Sequence, residues 1–147
     1  MKILIQRVKQ AKVKVNSEVI GNIQHGLLLL IGAEKGDSKK DIEYLAQKLI
    51  HLRIFEDKNS KMNLSILDVK GEILAVSQFT LLGDCTRGRR PSFDKAAGSD
   101  EAIYLYDKFV SELRKSGLRV ETGRFGAHMK IELINDGPVT LILDSRK

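Results

Sequence analysis

Two short polar segments carry the residue types most suited to chemistry in this 147-residue chain. The first is Ser77-Gln78-Phe79-Thr80, at the end of the apolar run Ile73-Leu74-Ala75-Val76. Two hydroxyls and an amide at the end of a strand suit the binding of a polar group, and either hydroxyl is a candidate nucleophile if a base stands beside it. No GxSxG elbow surrounds Ser77, and no His–acid pair lies near in sequence. Ser and Thr are also ordinary where strands end. The second segment is Asn135-Asp136-Gly137-Pro138, which runs into Val139, Leu141, Ile142 and Leu143. Proline cannot donate to a sheet ladder and is normally kept out of central strands. Asn, Asp, Gly and Pro are all turn formers, so a turn explains the segment without any function.

The remaining chemistry is sparse. Cys85 is the only cysteine, so there is no internal disulfide and no cysteine metal cluster. His25, His51 and His128 show no HxH or HExxH spacing, and no metal or other cofactor is expected. The net charge is +6 with a pI near 9.5, compatible with a polyanionic partner. The local cluster Arg87, Arg89, Arg90 and Lys95 is sharper than the total, because arginine forks match phosphate geometry. It reads equally as a solvated loop.

The elements that must hold these residues follow from periodicity. Residues 2–8 and 11–15 alternate as strands, 16–23 return as a hairpin, and Gly26 to Gly32 reads as a strand buried on both faces. Ser38 is the expected N-cap of a helix over 39–52, with Ile42, Leu45, Leu49 and Leu52 on one face. A strand is expected around Ile54-Phe55, and a core strand over 71–82. In a regular strand Ser77 and Phe79 would face one way, Gln78 and Thr80 the other. Ser99 is the expected cap of a second helix over 100–116, with Gly117 ending it. Strands near 118–122 and 127–134, the NDGP turn and a last strand over 139–143 complete the chain. The expected fold is α+β: a single domain over 1–147, with mixed or antiparallel sheets and two main helices. No apolar run approaches the roughly 18 residues of a membrane helix, and the N-terminus lacks a signal-peptide pattern, so a cytoplasmic location is expected.

Taken together, "AVSQFTLLGD", "GRRPSF" and "TGRFGAHMKIELINDGPVTLILD" resemble the D-aminoacyl-tRNA deacylase family. The resemblance extends from "MKILIQRVKQAKVKV" to the last strand, and the order of SQFT and NDGPVT makes it specific. It implies a homodimer with a barrel-like core that cleaves the ester between a D-amino acid, or glycine, and the terminal ribose of tRNA. Mischarged glycyl-tRNA, such as Gly-tRNA(Ala), is included. It implies that Ser77, Gln78, Phe79 and Thr80 line the catalytic pocket. It implies that Gly137-Pro138 is a cis peptide reaching into the partner subunit's site, where its carbonyl oxygens hold the substrate ammonium and its backbone excludes L side chains. Glycine, having no side chain, escapes such a steric filter. Arg7 is implied to brace the Gly-Pro segment and Met129 to flank the terminal adenosine. From the residues alone, Arg7 is an exposed strand arginine and Met129 a core residue. Arg87, Arg89 and Arg90 are carried over as tRNA contacts.

No base to activate Thr80 is visible. The favoured mechanism is water attack assisted by the 2′-hydroxyl of the tRNA's terminal ribose, with backbone N–H groups around Phe79 and Thr80 holding the oxyanion. The rival readings are a non-catalytic basic RNA-binding module and a general Ser/Thr esterase using Ser77 or Thr80.

Overall fold

In the computed structural model, which describes residues 1–147, the two predicted N-terminal strands are one: β1 (Lys2–Val15). Along it Ile3, Ile5, Ala11, Val13 and Val15 are buried in alternation, but Arg7 and Val8 are both buried and Lys9 and Gln10 both exposed. The phase of the alternation slips there, and so does the register against its neighbour. The remaining elements are β2 (Glu18–Ile23), β3 (Gly26–Gly32), α1 (Lys39–Ile50), β4 (Phe55–Glu56), β5 (Met62–Leu64), β6 (Glu72–Ser77), α2 (Ser99–Arg114), β7 (Val120–Thr122) and β8 (Lys130–Asp144).

The main sheet runs β2-β1-β3-β6-β7, with β8 on the other edge of β1. β3 pairs β1 antiparallel and β6 parallel, and β6 pairs β7 parallel, so the sheet is mixed as expected. It curls until β2 meets β7. Gly21 makes this possible, because a Cβ there would stand 2.7 Å from the Thr122 carbonyl oxygen. The sheet is thus nearly closed into a barrel.

β3 is buried on both faces. Leu27, Leu29 and Ile31 face the large core shared with Ile73, Ala75 and the two helices, whereas Leu28 faces a smaller interior cluster with Val8, Val13, Ile23, Leu74 and Val76. Each fully buried Leu or Ile contributes about 1.5–3 kcal/mol. The helices cover the outer face through Ile42, Leu45 and Leu49 of α1 and Leu105, Phe109 and Leu113 of α2. No helix is long and apolar enough to cross a membrane.

Ser38 caps α1 as expected: its N–H and Oγ–H donate to Asp41 Oδ2 at 2.8 and 2.7 Å. α2 departs from expectation. Its N-cap is Gly98, and Ser99 is already helical. Asp100 and Glu101 in the first turn favour the positive end of the helix dipole, so no side-chain cap is needed.

Partial burial pushes the Asp41 carboxyl up, but the hydrogen bonds from Ser38 outweigh it and hold the group at about 2, below its ordinary 3.8. Because the folded value is depressed, its stabilisation is present above pH 3.8 and lost as pH falls towards about 2. Wild type is therefore expected to exceed Asp41→Asn in stability at neutral pH, the gap closing between those values in a denaturant titration repeated across pH. A gap unchanged at pH 2 would contradict the assignment.

Candidate active site

The predicted strand over 71–82 ends at Ser77. Gln78 still donates its N–H to the Ile31 carbonyl at 2.7 Å, completing the ladder with β3, and then Phe79–Leu82 turn into a short 3-10 helix. The expected alternation of side chains therefore stops. Ser77, Gln78 and Phe79 all line one cavity of about 310 Å³, and Thr80 stands outside its wall. The opposite wall comes from the segment before β8, including Phe125, His128 and Met129. Met129, expected within a strand, lies just ahead of β8, packed against Gly123, where a Cβ would meet its sulfur at 2.6 Å.

The floor is Tyr106 of α2. Its hydroxyl donates to the Ala75 carbonyl at 2.9 Å, and burial pushes the phenol well above its ordinary value. It stays protonated near neutrality and is no base. The Thr80 hydroxyl accepts from the Gln78 amide. An amide N–H cannot take a proton, so the one side chain bonded to Thr80 does not activate it. The 3-10 helix leaves the N–H groups of Phe79 and Thr80 without intrahelical acceptors, because the first N–H groups of any helix have none. His128, exposed on the cavity wall, is missed by the sequence reading. No local partner marks it, because the fold brings it to Ser77 across 50 residues.

The second motif corrects the turn expectation. Asn135-Asp136-Gly137-Pro138 does not separate two strands: β8 continues through it. Asn135 pairs with Val8 and Thr140 with Gln6, so four residues, Asp136 to Val139, bulge out opposite Arg7. The Asn135 amide closes the bulge. Its Oδ1 accepts from Val139 N–H at 2.8 Å, and its Nδ2 donates to the Val139 carbonyl at 3.2 Å. The missed role of Asn135 lies in this local pairing, a feature that a turn-former count does not reveal. The Gly137-Pro138 peptide is cis, and both residues are exposed.

Arg7 is not an exposed strand residue. It is 3% exposed. Its Nε donates to the Asp136 carbonyl at 2.8 Å and its Nη1 to the Ile54 carbonyl at 2.7 Å, while Glu56 and Asp136 carboxylates lie at 3.5 and 3.9 Å. The guanidinium therefore ties the bulge to the segment entering β4.

The two motifs are not brought together within one chain. Arg7 is level with Leu27 and Ile73 across the sheet, four residues along β6 from Ser77, and β8 is three strands from β6. At about 3.3 Å per residue and 4.8 Å per strand, that is roughly 20 Å along the sheet.

Arg87, Arg89 and Arg90 are exposed and form no ion pair, in a loop closed by reciprocal Asp84–Ser92 backbone bonds of 2.7 and 2.9 Å. Cys85 is exposed in the same loop.

Residues 4–144 match the sequence profile of the D-Tyr-tRNA(Tyr) deacylase family. The chain is 58% identical to D-aminoacyl-tRNA deacylases of Thermosipho africanus and a Geobacillus species, over 100% of its length and 99% and 97% of theirs. Among solved structures it is similar to a c-Myc DNA unwinding element binding protein, at a TM-score of 0.92 and 39% identity over 98% of both chains. A probable eukaryotic D-amino acid tRNA deacylase shares the fold at a TM-score of 0.82 and 19% identity over 97% of both. With a match that leaves out only three residues at each end, and both motifs inside it, the chain belongs to the D-Tyr-tRNA(Tyr) deacylase family.

Proposed function

We propose that the protein hydrolyses the ester of D-aminoacyl-tRNA, releasing free amino acid and tRNA, and so removes mischarged tRNA from the pool used in translation. The observation that carries this reading is the cavity at the end of β6, where Ser77, Gln78 and Phe79 of the family's first motif meet Met129. Its volume of about 310 Å³ is of ligand-pocket size, and its apolar majority suits a nucleoside face. Gln78 orients the ester or ribose, and the free N–H groups of Phe79 and Thr80 receive the negative charge that develops on the carbonyl oxygen.

The Gly137-Pro138 bulge acts in trans. It is exposed, rigidly held by Arg7 and Asn135, and far from its own chain's cavity. A homodimer that sets the bulge of one subunit over the cavity of the other completes both sites at once, as a two-fold interface does. The exposed Ile134, Leu141 and Ile142 flank it on β8, an edge strand with apolar surface to cover. Backbone at that position leaves room for a D side chain pointing outward and none for an L side chain. Glycyl-tRNA passes the same filter and is a second substrate. Arg87, Arg89 and Arg90, free of ion pairs, hold tRNA phosphates.

The test is ester loss from matched D-, L- and glycyl-tRNA. The D- and glycyl forms are expected to be cleaved and the L-form spared. Equal cleavage of D and L, or of neither, overturns the reading; RNA binding without cleavage would favour the basic-module alternative, and cleavage of small esters without tRNA a Ser/Thr esterase.

A further inference from the structure

Phe79 is 57% exposed, yet its ring is not free. It meets the edge of Phe93 at 5.0 Å between centroids, with the planes at 65°. Phe93 also touches the other end of the 3-10 helix, since a Cβ at Gly83 would stand 3.0 Å from its ring. It therefore grips both ends of the segment whose N–H groups face the reacting ester. Phe93 is itself fixed. It directly follows the Asp84–Ser92 bridge that closes the arginine loop, and Ala96 N–H donates to its carbonyl at 2.9 Å. The segment after it is tied to the residues leaving β3: Lys35 N–H donates to the Lys95 carbonyl at 3.0 Å, Lys35 Nζ to the Asp94 carbonyl at 2.7 Å, and Ala97 N–H to the Ala33 carbonyl at 3.0 Å.

We propose that Phe93 is a positioning residue for catalysis: it holds the Phe79 ring, and with it the N–H groups of the 3-10 helix, and so couples the loop bearing Arg87, Arg89 and Arg90 to the reacting centre. The inference rests on the reading of the Phe79–Thr80 backbone as the oxyanion donor. The chemistry follows from geometry. An oxyanion hole works only while its donors are already aimed, and a four-residue helix has too few bonds of its own to fix that aim. An edge-to-face aromatic contact supplies the missing constraint.

The experiment is a double-mutant cycle read as kcat and KM on D-tyrosyl-tRNA. Phe93→Ala is expected to lower kcat about tenfold, or about 1.4 kcal/mol of barrier, with KM changed less than about twofold. In a Phe79→Ala background the same substitution is expected to cost less than about twofold further, since it acts through Phe79. Phe93→Tyr keeps the ring edge and is expected to restore most of kcat; Phe93→Leu, which keeps bulk alone, is not, and this pair carries the test if the alanine variant does not fold. Additive effects, a rise in KM with kcat intact, or full rescue by Leu would overturn the proposal. An unchanged kcat in Phe79→Ala would overturn it as well, because the backbone N–H groups remain and the ring would then hold nothing that catalysis needs; cleavage of neither D- nor glycyl-tRNA by the wild-type protein would overturn the oxyanion reading instead.

Discussion

On a tRNA whose terminal adenosine lacks the 2′-hydroxyl, hydrolysis by the wild-type protein is expected to fall by about a hundredfold or more, the scale of a lost general acid–base partner. Thr80→Ala on normal tRNA is expected to keep activity within about tenfold of wild type, well short of the loss expected for a removed nucleophile. The contrast follows from what surrounds Thr80. Its hydroxyl accepts from the Gln78 amide, which can give a hydrogen bond but take no proton. Tyr106, deeper in the cavity, is held protonated by burial. His128 lies on the cavity wall, but no hydrogen bond joins it to the Thr80 hydroxyl, whose one side-chain partner is Gln78. A hydroxyl with an ordinary, very high pKa and no base beside it does not become an alkoxide at neutral pH. The ribose 2′-hydroxyl, in contrast, arrives with the substrate adjacent to the ester and needs no placing by the protein. Single-turnover rates with both substrates decide it. A Thr80→Ala protein that folds, binds tRNA normally and is inactive, alongside normal cleavage of the 2′-deoxy substrate, would return the nucleophile to the protein.

How far the sequence reached depended on whether a feature was local. α1 was legible because Ser38, Asp41 and the apolar face at 42, 45 and 49 lie within about three turns. β3 was legible because an unbroken apolar run of that length has to be covered on both sides. β1 read as two strands because a reader of alternation sees a break at Lys9-Gln10, where burial slips phase; the ladder continues through the slip. NDGP read as a turn because turns and strand bulges use the same residues, Asn to bond the backbone and Gly for a positive φ; only the partner strand shows which it is. Periodicity alone leaves Arg7 exposed, and only the family resemblance points to a bracing role, because nothing nearby in sequence signals that Ile54 and Asp136 close over it. The convergence of Phe79 and His128 on one cavity, and of Phe93 on the Phe79 ring, is tertiary and left no local pattern.

Gly137→Ala is expected to lower D-aminoacyl-tRNA hydrolysis by about a hundredfold and to bring the ratio of D to L cleavage towards one, while stability falls by only about 1–3 kcal/mol. Gly137 has φ +139°, where an L side chain is strained, and a Cβ there would stand 2.8 Å from Val139 Cγ2 and 3.0 Å from Arg7 Nη2. Neither neighbour yields easily. Val139 is 6% exposed and its amide is pinned by Asn135; Arg7 is pinned by the Asp136 and Ile54 carbonyls. The strain must therefore be relieved by moving the bulge itself. The strand does not follow, because β8 is paired with β1 on both sides of it, from Lys130 to Asn135 and from Thr140 to Asp144. A displaced bulge on an intact strand is the condition under which activity falls much further than stability. A shift of about 1 Å at a positioning group costs on the order of a hundredfold in rate. It also opens the direction that an L side chain takes, so selectivity should fail together with rate. Thermal melts and matched D- and L-tRNA assays on the same preparation separate the outcomes. A variant with wild-type rate and wild-type D-to-L ratio would mean that the bulge does not touch the substrate; one that loses both only by unfolding would reduce Gly137 to a structural glycine.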